Sequence, residues 1–262
     1  MTLKPEWMGL ALLAVSWTTA LMVALDALID VRRIRALMAS WRSSLVSGVV
    51  TSAELGALAI EQRVKHLDDG GLGFFERGHV SAVAGTAQVG GEVLEVAGAP
   101  DVEVWPTPVA LAEAARCASP AAFDALAAQV KGRGALRTVR VALEAGQPVW
   151  LAGARDGGRF VATLAAGFDP RDWARSRLAL NFGLIALDLL WVALGTALAL
   201  TAPVFGPWSI AGAVVLVGHF LGVTPLAVQV REKSKTPAKA ALLGEWKRPS
   251  DGDVGAPAPV AR

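Results

Sequence analysis

Residues 178–230 read LALNFGLIALDLLWVALGTALALTAPVFGPWSIAGAVVLVGHFLGVTPLAVQV, with no Lys, Arg or Glu and only Asp188 and His219 as ionisable side chains. A helix needs about 20 apolar residues to cross a hydrocarbon core of about 30 Å. The run is far too long for one crossing. It is interrupted by Ala202-Pro203-Val204-Phe205-Gly206-Pro207, and two prolines and a glycine in close succession end one helix and start another. The reading is a hairpin of two spans, residues 178–201 and 208–230.

Working outward, a second apolar window lies at residues 7–25, WMGLALLAVSWTTALMVAL, again without an ionisable side chain. At about 1.5 Å rise per residue it just spans the bilayer core. It is longer than the apolar region of a signal peptide, and no small-x-small cleavage pattern follows, so it reads as a retained span. The whole chain is 53% hydrophobic and 18% charged, with a mean hydropathy of +0.46. A soluble domain averages about 45–50% apolar and about 25% charged residues. The single cysteine, Cys117, excludes an internal disulfide, a cysteine-built zinc finger and an iron–sulfur cluster. A formal net charge of +2 gives no drive toward nucleic acid.

Basic residues mark one side of the membrane. Arg32, Arg33, Arg35 and Arg42 follow the first span, Arg171, Arg175 and Arg177 precede the second, and Arg231, Lys233, Lys235 and Lys239 follow the third. All three flanks fall on the cytoplasmic side only if the N-terminus faces out. The expected protein is therefore a multi-pass protein of the cell (inner) membrane, with its middle region and C-terminal tail in the cytoplasm. Trp7 and Trp208 would lie at the outer interface and Trp173 at the inner one. The basic stretch 32–44 is read as a helix continuing from the span and lying along the membrane surface, where anionic lipids are a partner.

The expected organisation is residues 1–29 as an N-terminal transmembrane helix, 30–177 as a membrane-adjacent domain, 178–230 as the hairpin and 231–262 as a basic, unstructured tail. The domain is long enough for its own core. Strand patterns cover 45–51, 57–65, 80–89, 92–97, 102–105, 136–143, 148–152 and 159–164, and helical patterns cover 109–118 and 121–130. Ser119-Pro120 opens the second of these helices as an N-cap with proline behind it. Asp156-Gly157-Gly158 is a hairpin turn. The fold class is α+β and strand-rich, without the alternation of a parallel sheet.

Motifs for chemistry are scarce. The sequence has no nucleophile elbow, P-loop, zincin or Cys-x-x-Cys pattern. His66 with Asp68 and Asp69 reads as an exposed turn, and Cys117 as a packed structural cysteine. No catalytic residue, metal or cofactor is assigned. The most informative pair is Asp188 and His219. Asp188 lies ten residues past Leu178, and His219 eleven before Val230. Both enter about 15 Å from the same face at 1.5 Å per residue. An ionisable group costs several kcal/mol in lipid, so the two are expected to face each other, with Asn181 or Ser16 nearby. Such a bond would fix the rotation of the hairpin.

One further pattern is local. Leu45-Val46-Ser47-Gly48-Val49-Val50 is followed by Ala59-Ile60-Glu61-Gln62-Arg63-Val64-Lys65, and Glu144-Ala145-Gly146-Gln147-Pro148-Val149-Trp150-Leu151-Ala152-Gly153 by Asp169-Pro170-Arg171-Asp172-Trp173-Ala174-Arg175. In this order, between membrane segments, the stretches resemble the GIDE-type membrane proteins over about residues 1–200. The resemblance implies a strand-rich domain that binds something at a membrane surface. It also implies, for the eukaryotic members, an E3 ubiquitin ligase activity carried by a C-terminal RING finger. After Val230 this chain has no Cys or His, and two zinc ions need about eight such ligands, so the likeness is to a form lacking the RING. A composition rich in Ala, Gly and Arg and without Tyr points to a bacterial source. The expected function is presentation of a GIDE-like domain to a protein partner or to lipid, with homo-oligomers allowed. The alternatives are a small transport or channel subunit using Asp188 and His219, or a membrane-bound enzyme of unrecognised type.

Overall fold

The computed structural model describes residues 5–117, 119–130, 134–201, 206–233 and 236–248, with side chains from Gly9 to Val228 and beyond Thr236. The chain forms two compact units, residues 1–39 with 171–235 and residues 40–170 with 236–262.

The first unit is helical. Helix α1 runs from Pro5 to Ser44, and the two later helices of this unit cover Pro170–Ala199 and Pro207–Lys233. Three helical segments, Gly9–Ser44, Pro170–Ala199 and Pro207–Val228, are long and apolar enough to cross a membrane. On α1, Ser16, Ala20, Ala24, Ala27, Val31 and Ile34 are buried. This three-and-four spacing is the stripe by which helices pack. Their neighbours Leu21, Met22, Leu25 and Ile29 are more than half exposed, which suits contact with lipid. The basic stretch 32–44 belongs to the same unbroken helix as the span, and Val31 just before it and Ile34 within it continue the buried stripe. The helix continues from the span as the sequence reading has it, and the compact unit includes the chain as far as Ala39.

The second unit is built on strands β1 (Leu45–Val50), β2 (Glu54–His66), β3 (Leu72–Val89), β4 (Glu92–Trp105), β5 (Ala135–Glu144), β6 (Pro148–Asp156) and β7 (Arg159–Ala166). Helices α2 (Pro108–Ala115) and α3 (Pro120–Gln129) lie between β4 and β5 in sequence. Proline stands at the first turn of each, and the side chains of Thr107 and Ser119 cap them by accepting from the Ala110 and Ala122 amides. The membrane helices that follow β7 are α4 (Pro170–Ala199) and α5 (Pro207–Lys233).

β1 pairs with β6, β6 with β7, β7 with β4, β4 with β3, and β3 with β1 again. These pairings close into a ring of five strands. The ring closes where β1 crosses the end of β3, and a Cβ at Gly48 would collide with the Gln88 carbonyl oxygen. A glycine is required by that approach. The other half of β3 pairs with β2, which pairs in turn with β5. β3 therefore serves both the ring and a three-stranded wing. One pairing departs from the sequence reading. β4 and β7 are parallel, with α2, α3, β5 and β6 between them in the chain, and β4 is a single strand whose pairing with β7 is irregular between Gly98 and Glu103.

The tail also departs from expectation. Residues 237–242 form helix α6 (Pro237–Leu242), and Glu245–Trp246 form strand β8 on β3. Ala238 and Leu242 are buried in the main core with Leu58, Ile60, Val139, Val141 and Leu143. Buried Gln62 donates from Nε2 to the Leu242 carbonyl at 2.8 Å. Trp246 packs on Phe74 with ring centroids 4.5 Å apart, and the Arg137 guanidinium lies 4.6 Å from the Trp246 centroid. Lys239 Nζ and His79 Nδ1 both lie 2.8 Å from Glu76 Oε1. The tail looked unstructured because its apolar residues are few and irregularly spaced. They complete a core made elsewhere instead of making one locally. Residues 249–262 lie outside the described residues.

Two outcomes follow. Leu242→Ala should lower unfolding stability by about 2–5 kcal/mol, the usual range for a buried leucine, measured by chemical denaturation in detergent with domain tryptophan fluorescence. Burial alone would raise the Glu76 pKa, but the hydrogen bonds and charges of Lys239 and His79 outweigh it and hold the carboxyl below its ordinary 4.5. A depressed carboxyl contributes stability above its unfolded value and loses it as pH falls through the folded one. Glu76→Gln should therefore be less stable than the parent near neutrality, with the gap closing below about pH 4.

Candidate functional site

The polar pair in the helical unit is assembled by helix periodicity. On α4, Ala174, Asn181, Asp188 and Gly195 are seven residues apart, and the first three are fully or almost fully buried. On α5, Leu216, His219 and Val223 form the matching buried stripe. His219 Nε2 lies 2.6 Å from Asp188 Oδ1, and both side chains are 0% exposed. Ala20, Val192 and Leu216 pack together on one side of the pair, and Ala27, Leu184 and Val223 on the other. The pair is thus sealed between two apolar layers to which all three helices contribute.

Close approach of the helices depends on small residues. A Cβ at Gly195 would come within 2.8 Å of the Leu216 side chain, and one at Gly212 would strike the backbone of Ala199. Two indole bonds reinforce the bundle. Trp191 Nε1 donates to the Val215 carbonyl at 2.8 Å, and Trp17 Nε1 to Thr196 Oγ1 at 3.1 Å. Neither tryptophan was singled out by the sequence, where any tryptophan in a span can equally mark an interface.

Within the pair, one oxygen and one nitrogen are unused. Asp188 Oδ2 and His219 Nδ1 are buried without a hydrogen-bond partner. Asn181 donates to the Arg177 carbonyl at 2.9 Å, and the Ser16 hydroxyl has no partner. Neither completes the pair as expected. A separate groove of about 210 Å³ runs beside α1 and is lined by Asp26, Asp30, Asn181 and Thr224 among others.

The basic residues lie along the C-terminal part of α1 and near the start of α4. Arg32, Arg33, Arg35 and Arg42 are exposed on α1, and Arg35 sits 5.4 Å from the Phe182 ring centroid. On α4, Arg171 and Arg175 are exposed, Arg175 pairs with Asp172 at 3.0 Å, and Arg177 is partly buried.

In the strand-rich unit the sequence candidates have structural duties. Asp69 Oδ1 accepts from the Gly71 amide at 3.1 Å and shapes the turn. Cys117 is half-buried, with Sγ 3.4 Å from the Ser119 carbonyl. Among the described residues no three His, Cys, Asp or Glu side chains gather as a metal site would require. A surface groove of about 400 Å³ lies between α2 and β5. Glu113, Glu144, Arg140 and Gln147 line it, and Arg140 is ion-paired with Glu54.

Removing one partner of a sealed pair strands the other. His219→Ala should destabilise the helical unit by about 3–5 kcal/mol. Asp188→Asn, which keeps a hydrogen-bonding group, should cost less. Unfolding of purified protein in mixed micelles measures both. Parent-like stability of both variants would show that the bond carries no weight.

The chain matches no protein-family model, no curated protein and no solved structure.

Proposed function

We propose that this is an integral membrane protein whose three apolar helices anchor it and whose strand-rich domain binds a protein partner at the cytoplasmic face. The observation that carries this reading is the division of labour between the two units. In the helical unit the two ionisable residues of the hairpin, Asp188 and His219, pair with each other and are 0% exposed. The strand-rich unit has its own core and an open groove on its surface. The clustering of basic residues at one set of helix ends supports an N-terminus outside and the domain and tail inside. The stretches that resemble GIDE-type proteins support the same reading, in which the strand-rich domain meets the partner. Anionic lipid under Arg32, Arg33 and Arg35 is a secondary contact of the anchor.

A transport subunit is the competing class, because Asp188 Oδ2 and His219 Nδ1 retain unused valences. The two readings separate in one preparation. Proteoliposomes of the purified chain should show no proton or cation flux above empty vesicles under a pH gradient of about two units, and His219→Ala should change nothing. A flux abolished by that variant would favour transport. Single cysteines in the turns at Gly90 and Gly157, with Cys117→Ser, should be shielded from impermeant thiol reagents in intact cells and labelled after lysis. Labelling in intact cells would reverse the topology.

A further inference from the structure

The strand-rich unit ends in an edge. In the sheet order β1-β6-β7-β4-β3-β2-β5, β5 is terminal, and among the described residues it pairs only with β2. Five strands are closed into a ring and have no such edge. β5 is ten residues long, Ala135–Glu144, contains no proline or lysine, and keeps an unbroken register with β2 from Ala135 to Leu143, the one irregularity falling at its Glu144 end opposite Leu55. Natural proteins usually blunt an edge of this kind, because its outward amides and carbonyls form a template for another strand.

The edge is also shaped. Helix α2 runs beside it without pairing to it, and the groove of about 400 Å³ lies between them. The floor is low because Ala110, Ala114 and Ala142 face it with methyl groups only. The rim is built by helix and strand periodicity. Val109 and Glu113 are four apart on α2, and Arg140, Ala142 and Glu144 alternate on β5. Val109 is 68% exposed. The volume falls within the range of about 300–1,000 Å³ usual for binding clefts.

Charge selects among occupants. Arg140 is neutralised by Glu54. Arg137 is turned toward Phe74 and Trp246 and donates to the Ala114 carbonyl at 3.4 Å. Glu113 and Glu144 have no ion-pair partner among the described residues. The groove therefore presents an unpaired strand edge flanked by two free carboxylates.

We infer that the groove between α2 and β5 receives an extended, basic segment of a partner protein, which adds to β5 as a further strand. Main-chain hydrogen bonds to the β5 edge supply the affinity, and Glu113 and Glu144 select lysine or arginine at alternate positions. The inference rests on the reading of this domain as a partner-binding module and names the surface and chemistry by which it does so.

Two measurements on the full-length protein test it. In native membranes a photo-crosslinking residue at Ala142 should capture a protein whose crosslinked segment is basic, whereas the same residue at Val93, 60% exposed on the ring, should not. Capture only from Val93 would leave the partner-binding reading standing and overturn the β5 site. Capture at Ala142 of lipid, of a second copy of this chain or of a segment without basic residues would also overturn it. In detergent, the peptide acetyl-Lys-Val-Lys-Val-Lys-Val-amide should slow hydrogen exchange of β5 amides while leaving β6 and β7 unchanged. Its binding should weaken about tenfold in the Glu113→Gln/Glu144→Gln variant, and Ala142→Arg, which fills the groove, should abolish it. Unchanged β5 exchange at millimolar peptide, or equal binding of the counterpart with Glu in place of Lys, would refute the inference.

Discussion

The hydrogen bond between Asp188 and His219 sets the geometry of the helical unit. Either side chain alone would be costly in hydrocarbon, so each helix has one rotation in which its polar residue is satisfied. At 3.6 residues per turn, a slip of one residue would swing His219 by about 100° toward lipid. The small residues obey the same constraint. Gly195 and Gly212 bring α4 and α5 close enough for a 2.6 Å contact, and the alanines of α1 let a third helix cover the pair. Apolar packing alone would tolerate many rotations, because lipid tails are as apolar as leucine. The polar pair removes that freedom.

Much of this was legible because it is local or periodic. The three apolar windows, the Pro-Gly break and the equal depths of Asp188 and His219 are visible in one dimension. So are the N-cap at Ser119 and the Gly157-Gly158 turn, whose two positive φ angles, 55° and 90°, suit a tight hairpin. Strand positions followed from alternation, with β2, β3 and β6 extending beyond the clear pattern.

What could not be read was long-range. Nothing in Gly48 announces that its strand meets the end of β3, and the parallel pairing of β4 with β7 joins strands separated in the chain by α2, α3, β5 and β6. Gln62, in the middle of an alternating strand, occupies an inward position where an apolar residue is the rule. Its partner, the Leu242 carbonyl, lies 180 residues away. The tail was misread for the same reason. Its apolar residues have no periodicity of their own, since Leu242 and Trp246 answer to positions on β2 and β3. The α2–β5 groove was invisible for a different reason: it is made by what is absent, the side chains that alanine lacks.

The placement of α6 and β8 has a consequence for biogenesis. The strand-rich unit is discontinuous in the chain, with residues 40–170 completed by residues after 235, and both hairpin helices are synthesised in between. At about 5–20 residues per second, the ribosome adds Leu242 within seconds of the last residue of α5. Until then the sites for Ala238, Leu242 and Trp246 stand open, with Gln62 lacking its acceptor. Closure of the domain therefore follows synthesis of the last membrane segment, so the finished core reports that the hairpin has been made.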